Sequence, residues 1–140
     1  DMKIKLKFPE KTFIWLFYIP IAYKNIIDFK KSIRIVEKKK LKSICAFKKV
    51  ETHPMSCWYL KKNRPLQYIK NNLYRRQDFP EAYSHHHYIC GFNLKYLKKL
   101  NNELIFRNTF PIILNDKTSK KLIEIDTPEQ LKKFKKINRK

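Results

Sequence analysis

Three short stretches of this 140-residue chain carry side chains able to do chemistry. In Glu124-Ile125-Asp126 the two carboxylates stand at i and i+2, so a strand would turn both to one face and Ile123 and Ile125 to the other. Hard oxygen donors at the carboxyl end of a strand suit Mg2+, which one or two carboxylates hold together with substrate phosphates. The alternative is a solvated strand end whose negative charge merely favours the start of the next helix. Arg75-Arg76-Gln77 sets two guanidinium forks and an amide before a turn at Asp78–Pro80. Arginine pairs bidentately with carboxylate or phosphate, where lysine offers a point charge. The alternative there is a solvated basic turn. His85-His86-His87 invites a metal, but successive strand residues alternate faces, so only His85 and His87 could share one. A three-ligand zinc site needs a more convergent arrangement.

The pattern around these stretches predicts the elements that must hold them. Thr12–Ile19 is a continuous β-branched and aromatic run closed by Pro20, the form of a strand buried on both faces in a parallel sheet. Lys24–Lys38 spaces Ile26, Ile27, Phe29, Ile33 and Val36 between lysines as an amphipathic helix, and Ser43–Phe47 is a second buried strand. Strand, helix, strand at this spacing predicts a right-handed βαβ crossover. Further strands are expected near Leu66–Ile69 and over Tyr88–Phe92, Phe110–Leu114 and Lys121–Ile125. Gly91 would let another group approach the backbone. Asn93 can cap a helix through Leu94, Leu97 and Leu100. Thr127, Pro128 and Gln130 have capping-box spacing for a last helix, Glu129–Ile137, burying Leu131 and Phe134, with the terminal basic residues favoured at its end. The expected fold is one α/β unit over residues 1–140, with a mixed, mostly parallel sheet and flanking helices.

Composition first suggests a polyanion partner, because 33 Lys and Arg face 12 Asp and Glu, for a net charge of +21. The basic residues are scattered rather than gathered on one element, which argues against nucleic-acid binding. Glycine occurs once, where ordinary usage gives about ten. With abundant Lys, Asn, Ile, Tyr and Phe, that is the bias AT-rich coding writes on any fold. Cys45, Cys57 and Cys90 lack metal-ligand spacing, and Cys45 and Cys90 sit in apolar runs, which points to a reducing compartment without a disulfide framework. Thr12–Tyr23 is too short for a membrane helix and is broken by Pro20. No secretory leader follows Asp1-Met2-Lys3, so a cytoplasmic location is expected.

Read together, Tyr74-Arg75-Arg76-Gln77-Asp78-Phe79-Pro80 and Ile123-Glu124-Ile125-Asp126-Thr127-Pro128-Glu129 resemble the acylneuraminate cytidylyltransferase family, which makes CMP-sialic, legionaminic and pseudaminic acids, and its KDO relatives. The family's turn reads Arg-Arg-Gln-Asp-Leu-Pro and its later run Asp-hydrophobic-Asp-Thr/Ser-Pro-Glu-Asp, so Phe79 stands for Leu and Glu124 for the first Asp. The resemblance implies a partial Rossmann-like nucleotide-diphospho-sugar transferase fold and a reaction joining CTP to a nine-carbon acid sugar or KDO. It implies Mg2+ at Asp126 and Glu124, Arg75, Arg76 and Gln77 beside the acid sugar, and His86 where the family carries a substrate-contacting Asn. It also implies a homodimer packed through residues 83–104. It covers Thr12 to the C-terminus, most clearly from His53.

The departures are specific. Trp15–Ala22 keeps Pro20 but lacks most polar residues of the family's active-site segment, and His87 replaces a glycine. The Ala-Arg-x-Gly-Ser-Lys loop that cradles CTP phosphates has no counterpart, and with the start at Asp1 this leads us to expect the C-terminal portion of a longer or degenerate enzyme, inactive as it stands. Two other readings stay open: a catalytically dead paralogue serving as a partner subunit, and a small basic polyanion- or RNA-binding module. The latter needs exposed aromatic residues among cations, and Tyr59, Tyr68 and Tyr74 among Lys61, Lys62, Arg64 and Lys70 offer the one such stretch.

Overall fold

The computed structural model describes residues 8–138, so the reading of Asp1-Met2-Lys3 and the terminal Arg139 and Lys140 lie outside the described residues. The apolar run after Thr12 forms β1 (Phe13–Leu16), followed by helix α1 (Ile26–Lys39) and β2 (Ser43–Lys49). A hairpin of β3 (Trp58–Lys61) and β4 (Arg64–Gln67) leads to the long β5 (Tyr83–Asn93), then β6 (Thr109–Ile113). A single helical turn, α2 (Asp116–Ser119), and helix α3 (Pro128–Asn138) complete the order.

The main sheet has the strand order β1-β5-β2-β6, and the hairpin is a separate two-stranded sheet. A mixed sheet with flanking helices is as expected, but β2 and β6 form its one parallel pair, because β5 runs antiparallel to both β1 and β2. β1 and β2 are therefore parallel, as the strand–helix–strand pattern predicts, with β5 inserted between them. The apolar run could not reveal this, since an insertion from seventy residues downstream leaves no local trace. β1 is consequently an edge strand, half-buried rather than covered on both faces, and Phe17 and Ile19 beyond it are exposed.

β5 supplies much of the core. Tyr88, Ile89, Cys90 and Phe92 are buried with Ile44, Cys45 and Ala46 of β2 and with Ile21. Full burial of the large ones, the isoleucines and Phe92, stabilises by about 1.5–3 kcal/mol each. Tyr88 also ties the sheet to α1: its hydroxyl donates to Asp28 Oδ2 (2.8 Å) and accepts from the Asn25 amide (3.2 Å), while its ring meets Phe29 edge-on. Burial, and then the bond to Asp28, raise the Tyr88 pKa, which keeps the hydroxyl protonated. Asn25 caps α1 by accepting from the Ile27 amide, and Phe29, Ser32 and Val36 form its buried face. Gly91 does admit a close neighbour: a Cβ there would lie 2.7 Å from the Phe13 ring and 2.9 Å from the Ile14 carbonyl oxygen.

Two expected elements differ in kind. The helix after Asn93 is a 3-10 helix, Leu94–Lys99, capped by Asn93 as predicted. Lys121–Ile125 is not a strand but a single antiparallel bridge, Ile21 to Glu124, with the Ile125 amide donating to the Pro20 carbonyl. The chain turns away directly because Gln130 Oε1 accepts from the amides of both Asp126 and Thr127, starting α3 at once. The Gln130 amide donates back to Thr127 Oγ1, which completes the capping box. In α3 Phe134 is half-buried, but Leu131, expected to be buried, is 39% exposed, as is Ile137.

Candidate functional site

The carboxyl ends of the parallel strands are where open α/β sheets seat ligands. At the end of β2 a cavity of about 490 Å3 is lined by Lys49–His53, Ser56, Arg76, Gln77 and Phe79–Ala82. Two loops make it, and His53 holds them together. The Met55 amide donates to His53 Nδ1 (3.2 Å), which puts the ring proton on Nε2, donated to the Pro80 carbonyl at 2.9 Å. The same ring lies 4.7 Å from Phe79, and the Val50 amide bonds the Ala82 carbonyl. Arg76 and Gln77 fall within the short 3-10 turn Arg76–Asp78 and present a guanidinium and an amide to this cavity.

Arg75 does not join them. Its Nε and Nη2 donate to Asp78 Oδ2 and Oδ1 at 3.0 and 3.2 Å, a bidentate pair that closes the turn. An exposed pair of this kind contributes little to stability but fixes the direction in which Arg76 and Gln77 leave the backbone. The adjacent-arginine spacing thus divides into one structural and one available cation.

Glu124 lines a second cavity of about 540 Å3 with Lys48, Glu51, Lys120, Gln130 and Lys133 among its walls. Glu51 lines both cavities, so the two expected subsites adjoin. Glu124 and Asp126 are exposed while Ile123 and Ile125 are half-buried, the alternation expected of them. Asp126 is not among the residues lining either cavity. As a donor set these are two solvent-accessible hard oxygens beside three lysines. That fits Mg2+ only as Mg2+ ordinarily binds, with phosphate oxygens and water completing its shell.

His86 lies elsewhere. It is buried, its Nδ1 accepts from the Tyr88 amide (3.2 Å), and it is not among the residues lining either cavity. Burial, then the charges of Lys48 and of its two histidine neighbours, lower its pKa to about 4, so it is neutral at physiological pH. The neutral ring accepts one bond and carries no charge to offer an anion.

Its neighbours in sequence face outward. His85 and His87 place their rings 5.1 Å apart, and Glu103 closes on them from the loop after the 3-10 helix. Among the described residues this is a group of three metal-ligand side chains whose ligating atoms lie within 4.8 Å of one another. The shared face of His85 and His87 was legible from period two. Glu103 was not, since it stands sixteen positions beyond His87, which gives no spacing signal. Among the described residues, no helix is long and apolar enough to cross a membrane. No family model and no curated protein matches the chain.

Proposed function

We propose that the chain is the acid-sugar side of a cytidylyltransferase that joins CTP to a nonulosonate-type sugar and releases pyrophosphate. The observation that carries this is the joint placement of Arg76 and Gln77 on one cavity at the end of β2, beside Lys49. A guanidinium, an ammonium and an amide suit the carboxylate and hydroxyls of an acid sugar. In this reading the mixed sheet is part of a Rossmann-like nucleotide-diphospho-sugar transferase fold, and the family motifs quoted above are its second support. The anomeric hydroxyl oxygen attacks the α-phosphorus in line, its proton passes to solvent or base, and the bond to the β-phosphate oxygen breaks. Lys48, Lys120 and Lys133 around Glu124 would attract the triphosphate. Mg2+ held by Asp126 and Glu124 would supply neutralisation of phosphate charge. A phosphate-cradling glycine loop is not found in these 140 residues, so turnover belongs to a longer protein or a partner chain.

The direct test is calorimetric titration with a free nonulosonic acid, comparing Arg76→Ala with Arg75→Ala. Sugar-acid binding that falls about tenfold or more in Arg76→Ala and is nearly unchanged in Arg75→Ala is expected. Equal loss in both, or no binding to the unaltered chain, would overturn the reading.

A second reading, a polyanion-binding module, has its own observation. The rings of Tyr59, on the hairpin, and Tyr68, just after it, lie 5.2 Å apart, Tyr68 and Tyr74 are exposed, and Lys61, Lys62, Arg64 and Lys70, which lie among them in sequence, are exposed as well. It requires single-stranded RNA binding that weakens steeply with salt and is lost in Tyr68→Ala, with no response to Arg76→Ala.

A further inference from the structure

His85, His87 and Glu103 form a nitrogen–oxygen set that takes no part in the sugar or phosphate contacts of the acid-sugar reading. Glu103 Oε2 lies 2.8 Å from His85 Nε2 and 3.9 Å from His87 Nε2. Ligands about 2.0–2.1 Å from a tetrahedral zinc ion stand roughly 3.3 Å apart, so these two separations bracket the spacing required, and all three ligating atoms lie within 4.8 Å of one another. Each residue is held by structure independent of any ion. His85 and His87 occupy one face of a strand whose other face is core. Glu103 sits in a turn that bonds to itself: Asn101 Oδ1 accepts from the Glu103 and Ile105 amides, and the Asn101 amide donates to the Ile105 carbonyl. Leu104, beside it, takes a left-handed φ of 58°, a conformation a leucine adopts only where its surroundings impose it. The three side chains are 36%, 22% and 50% exposed, enough for an ion to enter and for a further coordination position to face water.

We propose that His85, His87 and Glu103 are a three-ligand site for a divalent transition-metal ion of the zinc class, with a fourth position open to solvent. Two imidazoles and one carboxylate suit zinc, cobalt or nickel and not Mg2+, which prefers oxygen donors. The site is therefore chemically distinct from the carboxylate pair at Glu124 and Asp126. Binding replaces the His85–Glu103 contact: the ion takes the Nε2 position, and the neutral imidazole carries its proton on Nδ1. The ion then fastens the loop after Leu100 to β5.

The test uses the untagged, metal-stripped chain titrated with Co2+ and read by visible absorbance, followed by displacement with Zn2+ or Mg2+. One Co2+ per chain is expected, displaced by Zn2+ and not by Mg2+, without the near-ultraviolet bands of thiolate ligation. Glu103→Gln and His87→Gln should each weaken binding by more than about 100-fold, beyond the effect of losing an outer-shell partner. Arg76→Ala and Cys57→Ser should leave it unchanged. Glu103 is half exposed, so Glu103→Gln decides the matter even if His87→Gln fails to fold. Unchanged affinity in Glu103→Gln, thiolate bands, or no saturable binding would each overturn the proposal.

Discussion

The rim cavity and the histidine cluster are neighbours along the chain, for Ala82 lines one and His85 belongs to the other, yet they are held in different ways. The cavity is bounded largely by loops, joined through His53 and the Val50–Ala82 bond, and its useful side chains are exposed. The two histidines of the cluster stand on an inner strand of the sheet, with buried residues directly behind them. In a strand, spacing is already geometry, because period two fixes which side chains meet. In a loop, spacing is only an opportunity: of two adjacent arginines, one was taken by a local carboxylate.

The same contrast should appear in stability, and the largest effect lies there. Ile44→Ala, at a fully buried position of β2, should cost about 2–5 kcal/mol in denaturant unfolding. Leu60→Ala, on the hairpin where the side chain is 75% exposed, should change stability by less than about 0.5 kcal/mol. Comparable losses would mean that the hairpin is packed in solution against something that supports it.

A smaller effect probes the strand through pH. His86 has its pKa lowered to about 4 from an ordinary 6.5. The unfolded chain therefore takes up a proton before the folded one does. The stability tied to neutral His86 is present above pH 6.5 and is lost progressively as pH falls from 6.5 towards 4. The full effect is on the order of 3 kcal/mol. His86→Gln, which keeps an acceptor for the Tyr88 amide, should flatten melting temperature over this window. A slope unchanged by that substitution would place the titrating group elsewhere.

A more modest loss is expected at the periphery. Gln130→Ala removes the acceptor for the Asp126 and Thr127 amides and should cost about 0.5–2 kcal/mol, measured by urea unfolding. A loss well beyond that range would show that α3 is as firmly part of the fold as β5.

What could be read in the sequence follows the same division. The cap at Thr127, the helix after Asn25, the role of Asn93 and the close approach at Gly91 are local and were legible. Strand order was not, because nothing near Thr12 or Ser43 announces that β5 will enter between them. The apolar run after Thr12 suggested two covered faces, but an aromatic edge strand packing over a glycine looks the same in one dimension. Among site residues, the carboxylate alternation at Glu124 and Asp126 was visible and the fate of Arg75 was not, since Asp78 stood equally ready to serve a turn or a ligand. Glu103 lay beyond any motif.

The register of β5 against β2 is Cys45 with Cys90 and then Ala46 with His86, so residues 87–89 have no partner in that ladder. Three is odd, and in a signal of period two an odd slip is a change of phase. The single strand is thus two half-strands written in opposite sense: the later half is set by the core, the earlier half by what must face out. Within the unpaired interval Tyr88 reaches α1 while His87 stays beside His85 on the open side. Removing one residue of that interval would make the slip even, and a single alternation of faces would then run through both halves.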